Sequence, residues 1–214
     1  GNFYTADRFG ANRAGDATGM TVSRSTSVPT GFQYSLVSQR TAGNTGTQGL
    51  SIWYSNETVN SIQLQGQSVT LSFYAKAGAN YSGGALTVQV LTGTGTDQRV
   101  YAYTGSAYSI NTTQAITTTW TRYTFTGSVP SNATEIGFNL AWSPSGTAGA
   151  DDAVYFTGIQ LEQGSVATPF ERRQYGQELA LCQRYTYVCV NRALGITLNG
   201  NALYSVSYTH LTLP

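Results

Sequence analysis

Histidine is all but missing from these 214 residues, and the one imidazole, His210, lies close to the C-terminal end. Without an imidazole elsewhere, no nucleophile, base and orienting acid can be assembled, so the chain is expected to be non-catalytic. Charge is equally scarce. Charged residues make up 10 % and the formal net charge is +1, which leaves no basic field for a phosphate backbone and makes nucleic acid an unexpected partner. The two cysteines, Cys182 and Cys189, have no Cys-x-x-Cys spacing and no nearby histidine, so they do not read as a zinc site. Cys182 reads instead as a small buried apolar residue, and a Cys182–Cys189 disulfide stays open. No apolar run approaches the roughly 20 residues of a membrane span.

What is abundant is glycine (24), tyrosine (15), threonine and serine, the mixture of turn formers and β-formers that short antiparallel strands require. Strict alternation marks Val69–Ala75, Leu86–Val90, Tyr123–Val129 and Ile136–Trp142, with weaker signals at Met20–Arg24, Tyr34–Gln39, Leu50–Ser55 and Arg99–Tyr103. In Val154–Leu161 the apolar phase shifts at Gly158, where a β-bulge would restore the inward face. Roughly nine or ten short strands with almost no helix predict an all-β, antiparallel β-sandwich of the jelly-roll kind, with a closed barrel as the alternative. The spacing of Leu179, Leu181, Cys182 and Tyr185 predicts one short amphipathic helix closing the sandwich.

The expected organisation is a sandwich over 1–173, lacking a preceding N-terminal strand, the short helix over 174–185, and the start of a second β domain over 186–205. The last residues, 206–214 (VSYTHLTLP), match what a transposon-based sequencing adapter would encode and are excluded from fold reasoning, His210 with them.

Sugar binding needs aromatic faces to stack on pyranose rings and polar groups to bond hydroxyls. Strand phase places Trp53 opposite Leu50, Ile52 and Tyr54, on the polar face with Ser51 and Ser55, so Trp53 leads the candidates. Tyr101 and Tyr103 share a face, Tyr108 follows in a loop, and the three could extend an aromatic platform. Trp142 is in phase with the core, and Trp120 is expected to pack at a strand start. Asp151 and Asp152, the adjacent acids, read as a solvated loop, with a structural Ca²⁺ site as the alternative.

The stretch TGIQLEQGSVATPFERRQYGQELALCQRY, from Thr157 to Tyr185, resembles the segment that closes the sandwich domain of many tailed-phage tail-fibre and receptor-binding structural proteins. Residues 5–9 (TADRF) and 64–77 (LQGQSVTLSFYAKA) agree with it, and the second also resembles a strand of carbohydrate-binding-module-like jelly rolls. The resemblance implies a virion tail component, often trimeric, engaged in fibre assembly or attachment to a host-surface glycan. The alternative is an extracellular carbohydrate-binding module of a larger bacterial enzyme or adhesin.

Overall fold

A computed structural model describes residues 2–4, 9–13, 19–172 and 176. The chain divides into two compact units, Gly1–Arg172 and Arg173–Pro214, of which the first is treated below. Apart from Gly176, the helix expected over 174–185, both cysteines with it, and residues 186–214 lie outside the described residues. Among the described residues no helix is long and apolar enough to cross a membrane.

The described chain is almost wholly β, in two sheets. One holds β1 (Asn2–Tyr4), β2 (Gly10–Arg13), β5 (Leu50–Ser55), β7 (Leu86–Gly93), β8 (Ala107–Gln114) and β10 (Glu135–Trp142), in the order β1-β2-β5-β10-β7-β8. The other holds β3 (Met20–Ser25), β4 (Ser35–Arg40), β6 (Ser68–Ala77), β9 (Thr121–Ser128) and β11 (Ala153–Gln163), in the order β3-β4-β11-β6-β9. Every pairing is antiparallel. This is the jelly-roll-like sandwich that the alternation predicts. The single α-helical turn described, Thr58–Ser61, lies between β5 and β6.

The alternation works because a strand presents successive side chains to opposite faces. Val69, Leu71, Phe73 and Ala75 of β6 meet Val88, Val90, Ile136, Phe138, Leu140 and Trp142 of the facing sheet in one core. Phe73 lies 6.1 Å from Phe125 and 6.2 Å from Phe156, ring centre to ring centre. Removing a ring so placed costs about 3–5 kcal/mol.

In β11 the pairing with β6 shifts register between Thr157 and Gln160. Gly158 sits at the shift with φ +58°, and a β-carbon there would fall 2.7 Å from the Phe32 ring. The bulge therefore needs glycine twice over, for its left-handed backbone and for the ring beside it.

The same strand explains why the closing motif is so dense. After Gln163 the chain turns through Gly164, at φ +121°, and returns across the outer face of the five-stranded sheet. Glu162 accepts hydrogen bonds from the Thr168 amide (2.9 Å) and hydroxyl (2.6 Å). Gln160 donates to the Thr168 hydroxyl and accepts from the Glu171 amide, while Arg122 donates to the Thr168 carbonyl. Phe170 packs on Phe32, and Phe32 packs on Tyr74. The Gln-Leu-Glu and Ala-Thr-Pro-Phe-Glu residues are thus a clasp over the outer face, where the polar Thr70 and Ser72 are buried.

Candidate functional site

The outer face of the six-stranded sheet gathers the aromatic residues that the sequence singles out. Register sets Gly10, Trp53, Asn139, Gln89 and Asn111 in one row across β2, β5, β10, β7 and β8. The adjoining row is Asn12, Ser51, Ala141, Thr87 and Thr113, all small or polar. Five strands at the usual spacing make this surface roughly 19 Å wide.

A loop running from β7 to β8 folds back over this face. Its shape is fixed by Glu135, a buried carboxylate at the start of β10 that accepts from the amides of Gly95 and Gln98. The Val100 amide donates to the Ser55 hydroxyl (2.8 Å), and the Ala102 amide to the Arg99 carbonyl. Residues Val100–Ala102 consequently form a turn of 3₁₀ helix, not the strand expected over Arg99–Tyr103. Alternation at those five residues comes from a turn laid across the sheet, where one side touches the protein and the other water.

Trp53 does lie on the face opposite the core, but it is 2 % exposed, so it cannot offer a ring to a sugar. The indole lies down on Gly10, where a β-carbon would fall 2.1 Å from it, and Leu91, Val100 and Tyr103 pack around it. Tyr103, 6 % exposed, is likewise a covered residue. It lies over Gly93 and Gly137, whose added β-carbons would meet it at 2.7 and 2.8 Å. Burial pushes the Tyr103 phenol above its ordinary range, the nearby Ser55 hydroxyl opposing and the Glu135 charge adding to the shift.

Tyr101 and Tyr108 are the exposed members of the four, at 47 % and 54 %. Tyr101 meets Trp53 edge to face, with ring centres 6.1 Å apart. Its hydroxyl contacts the Ser51 hydroxyl at 2.5 Å and donates to the Asn139 Oδ1 at 2.8 Å. Burial pushes the Tyr101 phenol above its ordinary range, and the Ser51 bond opposes the rise. From Asn139 a chain of amides continues, Asn139 donating to Gln89 (2.8 Å) and Gln89 to Asn111 (3.0 Å). Tyr108 pairs with Leu91 across β8 and β7. The structure therefore brings all four predicted aromatics to one face but divides their roles. Trp53 and Tyr103 are the floor, and Tyr101 and Tyr108 present rings to solvent.

The amide chain was not foreseen. Its signal is present in the alternating phase of Gln89 and Asn139, each flanked by core residues, but only the strand pairing shows that the three amides adjoin. Chemically, the row offers hydrogen-bonding groups of both senses and no formal charge, beside an exposed ring.

Of the two acids read as a solvated loop, Asp152 is not solvated, and Asp151 is half-buried. Asp152 is fully buried and pairs with Arg40 at 2.8 Å, while Ser82 donates to it through its amide (2.8 Å) and hydroxyl (2.9 Å). The Arg40 guanidinium also donates to the carbonyls of Gly46 (2.6 Å) and Gly146 (3.0 Å). Asp151 accepts from the Ala79 amide and the Tyr155 hydroxyl. The loops around Asp152 thus present a carboxylate and two carbonyls to a guanidinium, the kind of oxygen set that a calcium ion takes. Among the described residues, no group of three or more His, Cys, Asp or Glu is placed to hold a metal.

No protein-family model matches the chain, and no curated protein matches it. Solved structures do resemble it. The enzymatically active domain of tailspike protein 4 from bacteriophage CBA120 is 15 % identical, with a TM-score of 0.49 over 73 % of this chain, which spans only 19 % of the tailspike chain. A family 4 carbohydrate-binding module is 20 % identical, with a TM-score of 0.46, covering 74 % of this chain and 88 % of its own. The CBM22-1 xylan-binding domain of Paenibacillus barcinonensis Xyn10C is 16 % identical, with a TM-score of 0.45, covering 73 % of this chain and 87 % of its own.

Proposed function

We propose that this sandwich is a non-catalytic carbohydrate-binding domain, that it binds a neutral glycan on the outer face of the six-stranded sheet, and that it serves a phage tail fibre or related virion protein in host-surface attachment. The observation that carries the binding reading is the exposed Tyr101 ring set beside Ser51, Gln89 and Asn111, with the buried Asn139 linking them beneath. Sugars present an apolar ring face edged by hydroxyls, each both donor and acceptor, and this surface offers the complement. The small residues Ser51, Ala141 and Thr87 leave room for the sugar beside the ring. The absence of formal charge along the row favours neutral sugars over anionic ones.

The virion placement rests on the closing segment, Thr157–Tyr185, and not on the binding face. A secreted carbohydrate-binding module would use the same face, so the site does not separate the two settings. The test is an immobilised panel of neutral oligosaccharides probed with the full chain and with Gln89→Ala, while soluble oligosaccharides are assayed for new reducing ends. Retention on a subset of glycans, weakened in Gln89→Ala and without cleavage, supports the reading. Cleavage overturns the non-catalytic part, and retention unchanged in the variant overturns the assignment of the face. Neighbouring genes for baseplate or capsid proteins test the virion setting.

A further inference from the structure

The outer face of the five-stranded sheet is only partly covered by the clasp. Beyond the clasp, register sets Val37, Tyr155 and Lys76 side by side across β4, β11 and β6, with Trp120 immediately before β9. Tyr155, Lys76 and Trp120 are all half-buried. The Trp120 and Tyr155 rings meet edge to face, with centres 6.4 Å apart. The Lys76 ammonium lies 4.7 Å from the centre of the Tyr155 ring and 5.7 Å from that of Trp120. Among the described residues no carboxylate pairs with it. The nearby Asp151 spends one oxygen on the Tyr155 hydroxyl (2.8 Å) and the other on the Ala79 amide (2.7 Å).

An ammonium held against two aromatic rings keeps its charge while surrendering part of its hydration. It is therefore primed to take a carboxylate through a charge-assisted hydrogen bond. The rings hold it in place and offer apolar surface for the body of the same ligand, and the exposed Thr119 and Thr121 lie at the rim. The two rows described on the opposite sheet contain no cation.

We propose that Trp120, Tyr155 and Lys76 form a second saccharide site, specific for a carboxylate-bearing sugar of the uronate class. The pyranose packs on the Trp120 indole and its carboxylate meets the Lys76 ammonium. This site goes beyond the neutral-glycan face and does not depend on it.

The probe is hexameric oligogalacturonate, titrated calorimetrically into the full chain, with the fully methyl-esterified hexamer as its neutral counterpart. Wild type is expected to bind the acid and not the ester, with affinity falling as salt rises. Lys76→Gln and Trp120→Ala should each weaken binding about tenfold or more, while Lys76→Arg retains most of it. Tyr101→Ala, altered only at the neutral face, should bind the acid like wild type. Melting temperature and circular dichroism confirm that each variant is folded. Lack of binding by wild type, equal binding of the ester, or unchanged binding by Lys76→Gln would each overturn the proposal.

Discussion

Replacing Arg40 with methionine removes a buried cation and leaves its partner in place, so the cost can be worked from the contacts. Asp152 keeps the Ser82 amide and hydroxyl but loses its ion pair with Arg40, and the carbonyls of Gly46 and Gly146 lose the guanidinium donors. Breaking a buried pair from one side costs about 3–5 kcal/mol, because an uncompensated charge remains. For a chain of this size each kcal/mol lowers the melting temperature by roughly 2–4 °C, so a fall of roughly 6–20 °C is expected. Arg40→Met with Asp152→Asn removes the bare charge while keeping an acceptor for Ser82, and should recover a good part of that loss. Calorimetry of the wild type and the two variants, with and without Ca²⁺ and with a chelator, gives the answer. Because the guanidinium already occupies the converging oxygens, Ca²⁺ and chelator should leave the wild type unmoved. A loss below about 1 kcal/mol in Arg40→Met, the size of an exposed pair, would refute the reasoning. So would a wild-type melting temperature that falls on chelation.

Three further outcomes follow from the packing. Trp53→Ala should lower stability by about 3–5 kcal/mol, as for other buried rings, and denaturant melts will show this before any change in glycan selectivity. Gly158→Val strains a left-handed residue and drives side-chain atoms into the Phe32 ring, so a loss of about 1–3 kcal/mol is expected from overpacking alone. Glu162 is buried enough to be pushed up, but bonds from Thr168 and Gln160 and the charge of Arg122 outweigh this and hold it below its ordinary value of 4.5. Its contribution to clasp closure is therefore complete above that value and lost as pH falls through the lower, folded-state one. Protection from hydrogen exchange at residues 164–172, taken relative to the intrinsic rate at each pH, should fall on acidification in wild type, whereas Glu162→Gln should be weakly protected already and nearly flat with pH.

The fold was legible where one face of a strand is apolar and the other is not. In β10 the phase of Ile136, Phe138, Leu140 and Trp142 points to the core without help from any neighbour. The Gly158 bulge was legible for the same reason, since the apolar phase had to be mended somewhere. β8 was missed because it is an edge strand, and among its residues Ile110 alone is fully buried. The binding face was half legible. Alternation says which side of the sheet Trp53 takes, but not that a loop anchored by Glu135 returns to cover it, or that Gly10 makes a bed for the indole. Those are long-range facts, decided by pairings between segments far apart in sequence. Asp152 was misread on similar grounds, for the partners that make it a buried ion are Arg40 and Ser82, each remote along the chain.

Tyr101 is where the neutral-glycan reading is most exposed to test. Take the neutral oligosaccharide retained best on the panel, and titrate it calorimetrically into wild type, Tyr101→Phe and Tyr101→Ala. A central aromatic anchor is worth about 2 kcal/mol or more, and 1.4 kcal/mol is a factor of about ten. Tyr101→Ala should therefore bind at least tenfold more weakly. Tyr101→Phe keeps the ring but frees Ser51 and Asn139, and should fall between the two. Wild-type affinity in folded Tyr101→Ala would contradict the assignment of the outer face of the six-stranded sheet.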